Sequence, residues 1–526
     1  MKIAIVQSDY TIGDFDGNKA KIIRGMEKAK AEGSRLVVFA EQALSGRPAY
    51  DLLNDPVFLE QCQEALEDIA TQCEGITAIV GLPLQLENQT ISAAAIIRNK
   101  KVVKYVGKRH VMSRDETQHL GHSKGFEIVD VDGTKVAVVI GSDINIPNLD
   151  FGDETDIILS LKSTAFSRGI IERRYDFYSK MAYRKHAKLV AVNHIGGQTD
   201  IVYIGSSAVF NEKGEAIALL KNFEEDFLSI DLDAEHPALP IPAQSRDVNA
   251  YQAIKLGLKD YFAKNGFTKA CVGLSGGIDS AVTCALAVEV LGKENVRALI
   301  MPAQYSSDHS VEDAVELANN LGIHYEIISI SETFSAMQKA MDGVFEGTEF
   351  DETEENMQAR IRGNILMAYS NKFGYIVLNT NNKSETAVGY TTLYGDTVGA
   401  ISILGDLYKM QVYNLARHIN RHGNIIPENT LIKEPSAELR PEQKDSDSLP
   451  DYDTLDAILY RLIEESQSVD EIANAGFDFD TVKKIYTLFI QNEYKRHQSP
   501  PVLRLSPVTL GKGKILPLTY DFSCLL

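Results

Sequence analysis

The stretch from Gly273 to Gly292 reads GLSGGIDSAVTCALAVEVLG, and it follows the short apolar run 269–272. This order predicts a strand, a tight glycine turn and a buried helix. The hydroxyls of Ser275 and Ser280 join the free N–H groups of the helix start, a place that attracts phosphate. Asp279 would repel phosphate unless a divalent cation lay between them. The stretch therefore predicts a site for magnesium and pyrophosphate in an α/β domain.

The alternative for this stretch is an ordinary glycine turn that Asp279 caps. The sequence contains neither GxxxxGK[ST] of the Walker-type P-loop nor GxGxxG of the Rossmann dinucleotide fold. The stretch resembles the signature loop of the ATP pyrophosphatases, which cleave ATP to AMP and pyrophosphate while they activate a carbonyl oxygen. That resemblance implies contacts with ATP from Gly273, Leu274, Ser275, Gly276, Gly277, Ile278, Asp279 and Ser280.

Composition sets limits on the class of protein. A chain of 526 residues is long enough for two or more domains. A net charge of -20 argues against a nucleic-acid partner, because phosphate contacts need clustered Lys and Arg. The N-terminus has no signal-peptide pattern, and no apolar run reaches the ~20 residues of a membrane span. We therefore expect a cytoplasmic protein without a membrane partner.

Cysteine spacing indicates neither a disulfide framework nor a zinc site, because no CxxC pair and no histidine cluster occurs. The five cysteines are Cys62, Cys73, Cys271, Cys284 and Cys524.

The proline-rich segment 234–242 lacks periodicity and marks a predicted boundary between domains 1–245 and 246–526. In the first domain, apolar runs of strand length alternate with helical patterns, which indicates a layered α/β fold. The second domain alternates more regularly and predicts a doubly wound, mainly parallel sheet. Its predicted helices are 248–265, 279–291, 310–321 and 354–372, and its predicted strands are 269–274, 296–302, 324–330 and 375–379. Ser310 with Asp313 predicts a capping-box start for the third helix.

Three positions in the first domain follow predicted strands, where such sheets usually bind ligands. Glu41 ends VVFAE, Lys108 lies in KYVGKRHV, and Gly141 begins Gly-Ser-Asp after VAVVI. This pattern resembles the nitrilase or carbon–nitrogen hydrolase superfamily. The segments VVFAEQALSGRPAYDLL and VNHIGGQTDIVYIGSSAVFN resemble the glutaminase domain attached to NAD synthetases. The resemblance implies an α/β sandwich in which Glu is the general base, Lys stabilises the tetrahedral intermediate and a Cys attacks glutamine.

The third position departs from that family, which has Cys-Glu-Asp where this chain has Gly141, Ser142 and Asp143. Glycine has no side chain that could form an acyl intermediate. Arg114 replaces a tyrosine that contacts glutamine, and residues 164–170 lack the lysine of SPFxxGK. We therefore expect an inactive glutaminase domain in which Glu41 and Lys108 remain as a pair.

Two alternatives leave a nucleophile in the first domain. Ser142 could attack, although its side chain should point to the other side of the strand. Cys62 and Cys73 lie in a helical pattern and are interpreted as buried or surface thiols.

The second domain resembles NAD synthetase over long segments. These are ENMQARIRGN (355–364), NKSETAVGYTTLYGD (382–396), DLYKMQVYNLA (406–416), PSAELRPEQKDSDSLPDYDTLDAIL (435–459) and NEYKRHQSPP (492–501). With the first domain, the resemblance covers essentially the whole chain. It implies that ATP adenylates the nicotinate carboxylate of deamido-NAD, that pyrophosphate leaves, and that ammonia attacks to give NAD and AMP.

The resemblance also implies roles for individual side chains. Asp279 and Glu385 would hold Mg²⁺, a hard cation that prefers oxygen ligands. Thr380 would contact ATP, and Lys409 and Ser436 would contact the ATP phosphates or the adenylate. The residues that would contact deamido-NAD are Asn356, Glu385 and Lys495. The structural alternatives are a helix cap at Asn356, a solvated or interface charge at Arg360, and surface lysines at 409 and 495.

The primary hypothesis is an NAD synthetase that uses ammonia, either free or from a separate donor, and forms a homodimer or larger assembly. The polar segments 303–309 and 437–449 would cover its site and exclude water. Alternatives are a glutamine-hydrolysing NAD synthetase with an unconventional nucleophile, a non-catalytic dinucleotide sensor and another ATP pyrophosphatase.

Overall fold

The computed structural model describes residues 1–86, 88–112, 114–147, 149–152, 154–243, 245–441 and 443–522, with Arg114, Asp115 and His422 as backbone alone. The chain divides into two compact units, residues 1–244 and 245–526.

The first unit contains two six-stranded sheets, in the order β14-β1-β2-β3-β4-β5 and β13-β12-β9-β8-β7-β6, and a β10-β11 hairpin within its described residues. The strands are β1 (Lys2–Gln7), β2 (Leu36–Val38), β3 (Thr77–Leu86), β4 (Gln89–Arg98), β5 (Lys101–Gly107), β6 (Glu127–Val131), β7 (Thr134–Ile140), β8 (Ile157–Lys162), β9 (Lys188–Asn193), β10 (Ile195–Gln198), β11 (Ile201–Ile204), β12 (Ala208–Phe210), β13 (Ala216–Leu219) and β14 (Asp226–Asp231). The helices are α1 (Phe15–Ala31), α2 (Pro56–Gln72), α3 (Arg114–Thr117) and α4 (Ile170–Lys185).

The alternation of side chains along the strands builds two apolar layers in this unit. Val136, Val138 and Ile140 of β7 face the same core as Ile3 and Ile5 of β1, so the two sheets pack on each other. The other face of the first sheet packs on α1 and α2. The prediction of an α/β sandwich is therefore confirmed. Parallel pairing of β1 with β2 and of β7 with β8 brings carboxyl ends of strands together.

The second unit contains the five-stranded sheet β17-β16-β15-β18-β19 among its described residues, and every pairing in it is parallel. Its strands are β15 (Ala270–Gly273), β16 (Val296–Ile300), β17 (His324–Ile327), β18 (Ile376–Asn379) and β19 (Ile401–Ser402). Its helices are α5 (Arg246–Lys264), α6 (Ile278–Leu291), α7 (Asp308–Leu321), α8 (Ser331–Met341), α9 (Glu352–Phe373), α10 (Lys383–Val388), α11 (Lys409–Ile419), α12 (Glu428–Ile432), α13 (Tyr452–Ile463), α14 (Val469–Asn474), α15 (Phe479–Gln491) and α16 (Glu493–Arg496).

The predicted parallel sheet and its helices are confirmed, but the start of α7 is not where the sequence placed it. The cap is Ser307, whose hydroxyl accepts from the N–H of Ser310 at 3.1 Å, so the helix begins at Asp308. The capping box predicted from Ser310 and Asp313 is therefore wrong. Ser310 is buried inside the helix, where its hydroxyl donates to Glu438 at 2.6 Å.

Two further observations concern the whole described chain. None of its helices combines the length and the apolar character that crossing a membrane requires. Cys62, Cys73, Cys271 and Cys284 are free and buried, whereas Cys524 lies outside the described residues. Burial raises the pKa of the Cys62 thiol to about 12 and that of Cys73 to about 11.

Candidate functional site

The turn between β15 and α6 is closely packed and rich in hydroxyl groups. Gly276 has a φ of +78°, and a Cβ built there would lie 2.3 Å from the carbonyl oxygen of Ser310, so only glycine fits. The hydroxyl of Ser280 donates to the carbonyl oxygen of Gly277 at 3.0 Å and lies 3.2 Å from the hydroxyl of Ser275. The turn therefore presents two hydroxyls beside the free N–H groups of the α6 start.

Asp279 does not cap α6. The cap residue of that helix is Gly277, which has no side chain to offer. The carboxylate of Asp279 instead accepts from the Lys409 ammonium at 2.6 Å and from the side-chain amide of Asn382 at 2.9 Å. The part of the alternative in which Asp279 caps the glycine turn is therefore wrong.

Lys409 joins two carboxylates that are far apart in the sequence. Its ammonium lies 2.6 Å from Asp279 and 3.1 Å from Glu385, and only 5 % of its side chain is exposed. The fold explains the meeting, because α6 follows β15, α10 follows the neighbouring parallel strand β18, and both helices begin at the same edge of the sheet. Asn382 caps α10 and orients Glu385, whose backbone N–H donates to the Asn382 side chain at 3.0 Å.

This cluster holds more acid than base. Burial, together with the carboxylates of Asp279 and Asp445, raises the pKa of Glu385 to about 8, although Lys409 opposes the shift. Burial alone would lower the pKa of Lys409, but Asp279 and Glu385 outweigh it and hold that pKa well above its ordinary value. Two carboxyl groups thus contact one ammonium, with Asp445 close enough to act on Glu385, and a divalent cation could take the place of the ammonium and of the Glu385 proton.

A cavity of about 310 Å³ opens beside this cluster. Most of the predicted ATP and catalytic residues line it: Gly273, Leu274, Ser275, Gly277, Ile278, Asp279, Ser280, Thr380, Glu385, Lys409 and Ser436. The hydroxyl of Ser436 donates to the carbonyl oxygen of Gln443 at 2.5 Å, which fixes the loop that bounds the cavity. Gly276 supports the loop from behind, through its packing against α7.

Asn356 and Lys495 lie apart from this lining, against the segment 389–392. The Asn356 side chain accepts from the Thr392 hydroxyl at 2.5 Å, and the helix that contains it is capped by Asp351, not by Asn356. Lys495 is no surface lysine, because its ammonium donates to the carbonyl oxygens of Gly389 at 2.7 Å and Thr391 at 2.8 Å. Arg360 is exposed and donates to a backbone carbonyl oxygen.

Several charged residues that line the cavity were given no role from the sequence, among them Arg362 and Glu438. Burial lowers the pKa of Arg362 to about 10, with Glu438 opposing the shift, and its Nε donates to the carbonyl oxygen of Met301 at 3.0 Å. Glu438 accepts from the hydroxyls of Ser307 at 2.9 Å and Ser310 at 2.6 Å. The signal for Arg362 was present, since it stands two residues after Arg360 in ENMQARIRGN.

In the first unit, Glu41 and Lys108 meet at Gly141. The Lys108 ammonium lies 2.9 Å from Glu41, and both side chains are at most 2 % exposed. Gly141 follows β7 with a φ of +56°, and a Cβ built on it would lie 2.7 Å from a Glu41 oxygen and 2.7 Å from Lys108 Nζ. A side chain at position 141 would therefore have to displace one partner of a buried ion pair.

The charges around this pair are satisfied by neighbours. Lys108 also contacts Glu116 at 3.2 Å, and Arg47 pairs with the same carboxylate. Burial would raise the pKa of Glu41, but Lys108 and Arg47 hold it well below the ordinary value. Lys162 donates to the carbonyl oxygen of Gly141 at 2.5 Å, and burial holds the pKa of this lysine well below its usual range.

The alternative nucleophiles have other partners. The hydroxyl of Ser142 donates to the carbonyl oxygen of His110 at 2.7 Å. Cys62 belongs to the core that α2 forms, and the Cys73 thiol contacts the carbonyl oxygens of Ile76 and Ile97.

Comparison with known proteins assigns each unit to a family. Residues 250–499 match the NAD synthase family, and residues 2–237 match the carbon–nitrogen hydrolase family. The chain is 37% identical to the glutamine-dependent NAD(+) synthetase of Thermotoga maritima, and the alignment covers 99% of both chains. It is 38% identical to the protein of the same name from Synechocystis sp., again over 99% of both chains.

The chain belongs to the glutamine-dependent NAD(+) synthetase family. Members of that family are ligases that form a carbon–nitrogen bond, which places this chain among such enzymes. The glutamine-dependent NAD(+) synthetase of Acinetobacter baumannii, solved in complex with ADP, aligns with a TM-score of 0.78 at 34% identity and covers 98% of each chain. The family member from Cytophaga hutchinsonii aligns with a TM-score of 0.87 at 20% identity over 100% of this chain and 98% of that one, a likeness of fold.

Proposed function

We propose that this chain converts deamido-NAD, ATP and ammonia to NAD, AMP and pyrophosphate, and that its amidase-like domain does not hydrolyse glutamine. ATP adenylates the nicotinate carboxylate, pyrophosphate leaves, and ammonia attacks the acyl-adenylate. The observation that carries the choice of ammonia is Gly141, which offers no nucleophile and packs against Glu41 and Lys108. In this proposal the amidase-like domain spans 1–245 and the synthetase domain spans 246–526.

Asp279 and Glu385 would hold magnesium on the ATP phosphates. The convergence of both carboxyl groups on Lys409 supports this assignment, as does the oxygen character of both ligands. When bound, the ion neutralises phosphate oxygens and so favours departure of pyrophosphate. Two protein carboxylates are enough, because magnesium takes its remaining ligands from phosphate and water.

The other residues then bind and orient the substrates. Ser275, Gly277 and Ser280 would cradle the pyrophosphate at the start of α6, a position their hydroxyl and N–H groups favour. Lys409 would turn from the carboxylates to the ATP phosphates or the adenylate once a cation has taken its place. The remaining proposed contacts are Thr380 and Ser436 with ATP, and Asn356 and Lys495 with deamido-NAD.

We also propose that the synthetase domain forms a homodimer or a larger assembly, as the family resemblance implies. Light scattering on the purified full chain tests this point. A mass of one chain at micromolar concentration would contradict it.

The proposed nitrogen donor is tested by measuring NAD formation from deamido-NAD and ATP with either ammonium or glutamine. The protein must be free of contaminating glutaminase. We expect turnover with ammonium and a rate with glutamine no greater than that given by traces of free ammonia. Comparable rates with the two donors would overturn the proposal that the amidase-like domain is inactive.

A second candidate is a glutamine-hydrolysing NAD synthetase with an unconventional nucleophile, which the names of the similar proteins favour. Ser142 is the residue in question, and its hydrogen bond to the His110 carbonyl oxygen speaks against it. A glutamine-dependent rate that disappeared in Ser142→Ala, with the ammonium rate unchanged, would establish this candidate. A dinucleotide sensor without catalysis would instead give no AMP from ATP when deamido-NAD is added.

A further inference from the structure

Asp456 of α13 is buried away from the cavity yet reaches the start of α10 and of α11, the helices that carry Glu385 and Lys409 of the cluster. It is 8 % exposed, and its two carboxylate oxygens make separate contacts. One oxygen accepts from the Ser384 hydroxyl at 2.5 Å, and the other accepts from the backbone N–H of Met410 at 2.8 Å. A carboxylate from a distant helix thus serves the first turn of α11, where N–H groups have no partner inside their own helix.

Ser384 extends this contact to Lys409. The Lys409 backbone N–H donates to the Ser384 hydroxyl at 2.9 Å, and that hydroxyl in turn donates to Asp456. Lys409 is the first residue of α11, so both of the first two N–H groups of that helix depend on Asp456, one directly and one through Ser384. The backbone from which the Lys409 side chain extends is therefore fixed by hydrogen bonds.

The same hydroxyl joins α11 to α10. Ser384 directly precedes Glu385 in α10. The hydrogen bonds from the Lys409 backbone to Ser384, and from Ser384 to Asp456, therefore connect the backbone of Lys409 to the residue beside Glu385. The Lys409 ammonium lies 3.1 Å from the Glu385 carboxylate, at the point where these two helices meet. Such a connection matters because displacing a reacting group by about 1 Å costs on the order of 100-fold in rate.

Asp456 is suited to this task as an anion. Burial raises its pKa to about 6, opposed by the Met410 N–H and the Ser384 hydroxyl, so the carboxylate is ionised at neutral pH. The facing charges are Lys409 on α11, which favours the ionised form, and Asp453 on α13, which disfavours it. An ionised acceptor makes stronger hydrogen bonds than a neutral one.

We propose that Asp456 is a positioning residue for the synthetase reaction, acting through Ser384 to hold Lys409 between Asp279 and Glu385. It touches neither substrate nor reacting atoms in this role. The inference rests on the proposed function, in which Lys409 contacts the ATP phosphates or the adenylate. The competing explanation is that Asp456 only stabilises the fold as a helix cap.

A double-mutant cycle separates the two explanations. Asp456→Asn keeps the size of the side chain and removes its charge, and Lys409→Gln removes the group that is positioned. Asp453→Asn is the matched control, because Asp453 is exposed on the same helix. Two quantities are measured for each variant, kcat with ammonium and the Kd for magnesium-ATP. The Kd can still be measured if Lys409→Gln has no turnover.

We expect Asp456→Asn to lower kcat by about 10- to 100-fold, with KM for deamido-NAD changed by less than about threefold. In the Lys409→Gln background the same change should have no further effect on kcat or Kd. Ser384→Ala should lower kcat in the same direction and should not add to Asp456→Asn. Asp453→Asn should match the unaltered protein.

Equal losses from Asp456→Asn in both backgrounds would overturn the positioning role and leave a purely structural one. If Asp456→Asn does not fold, Ser384→Ala replaces it in the double-mutant cycle. Additive effects of Ser384→Ala and Lys409→Gln would then overturn the inference equally. No NAD formation by the unaltered protein would overturn the proposed function, and the positioning role with it.

Discussion

The ammonium of Lys409 lies 2.6 Å from a carboxylate oxygen of Asp279, although 130 residues separate the two along the chain. A lysine held this close to Asp279 and 3.1 Å from Glu385 neutralises carboxylates that would otherwise repel each other. The same arrangement suits a site that exchanges one cation for another, since an ammonium and a metal ion both relieve that repulsion.

Binding of magnesium-ATP should therefore release a proton from Glu385. Burial and the carboxylates of Asp279 and Asp445 raise the pKa of Glu385 to about 8, so this group is largely protonated at neutral pH. A metal ligand must be ionised, so the proton is lost on binding, and affinity should fall as the pH falls below about 8. Calorimetry in buffers of different ionisation enthalpy measures the release, which should approach one proton at about pH 6.5 and vanish above about pH 9.

The control for this prediction is Glu385→Gln, which has no proton to release. It should bind magnesium-ATP more weakly and with proton release that no longer changes across this pH range. Release from the unaltered protein that is independent of pH would contradict the raised pKa of Glu385.

A methyl group at position 141 should destabilise the protein by more than backbone strain alone. Gly141→Ala would place a non-glycine residue at a φ of +56°, at a cost of roughly 1–2 kcal/mol, and would press on the Glu41–Lys108 pair. Overpacking of this kind costs about 1–3 kcal/mol more. Chemical unfolding followed by circular dichroism measures the total.

Gly133→Ala is the matched control for Gly141→Ala. Gly133 has a φ of +88°, but a Cβ built there meets no atom within 4 Å. Gly133→Ala should lower the free energy of unfolding only by the cost of backbone strain, without the cost of overpacking. Equal destabilisation by the two variants would show that Glu41 and Lys108 do not press on position 141.

Removal of the Lys108 charge should destabilise the first unit without slowing NAD synthesis from ammonium. Lys108→Met leaves the Glu41 carboxylate buried without its closest cation, and breaking a buried pair costs about 3–5 kcal/mol. Lys135→Met removes a surface lysine that pairs with Asp130 at 3.0 Å, and it should leave the free energy of unfolding nearly unchanged. A large loss of ammonium-dependent kcat in folded Lys108→Met would contradict the proposal that the amidase-like domain takes no part in the reaction.

The parts of the fold that depend on local pattern were predictable from the sequence. The alternation of apolar runs and helical segments predicted the parallel sheet, and the almost all-round apolar character of the predicted helix 279–291 indicated that α6 is buried. The start of α7 was not predictable in the same way. Two serines, Ser307 and Ser310, could each begin that helix, and Ser310 turns inward because Glu438 accepts from it.

The site was predictable only where a residue's role follows from its own motif. Asp279 and Glu385 stand in matched segments, but the lysine between them meets them only in the folded chain. Asn382 and Asp456 stand in matched segments, but their hydrogen bonds to Asp279 and Met410 join residues far apart in sequence. Side-chain pairing across distant segments is therefore the part that needed the structure.

The nitrogen atom of the product gives the most direct test of the central claim. The full-length protein is supplied with deamido-NAD, magnesium-ATP, nitrogen-15 ammonium and an equal concentration of unlabelled glutamine, and the NAD formed is analysed by mass spectrometry. We predict that the amide nitrogen of essentially all new NAD carries the label, because Gly141 provides no nucleophile for glutamine. Unlabelled NAD as the main product would contradict the account and show that the first domain still delivers nitrogen from glutamine.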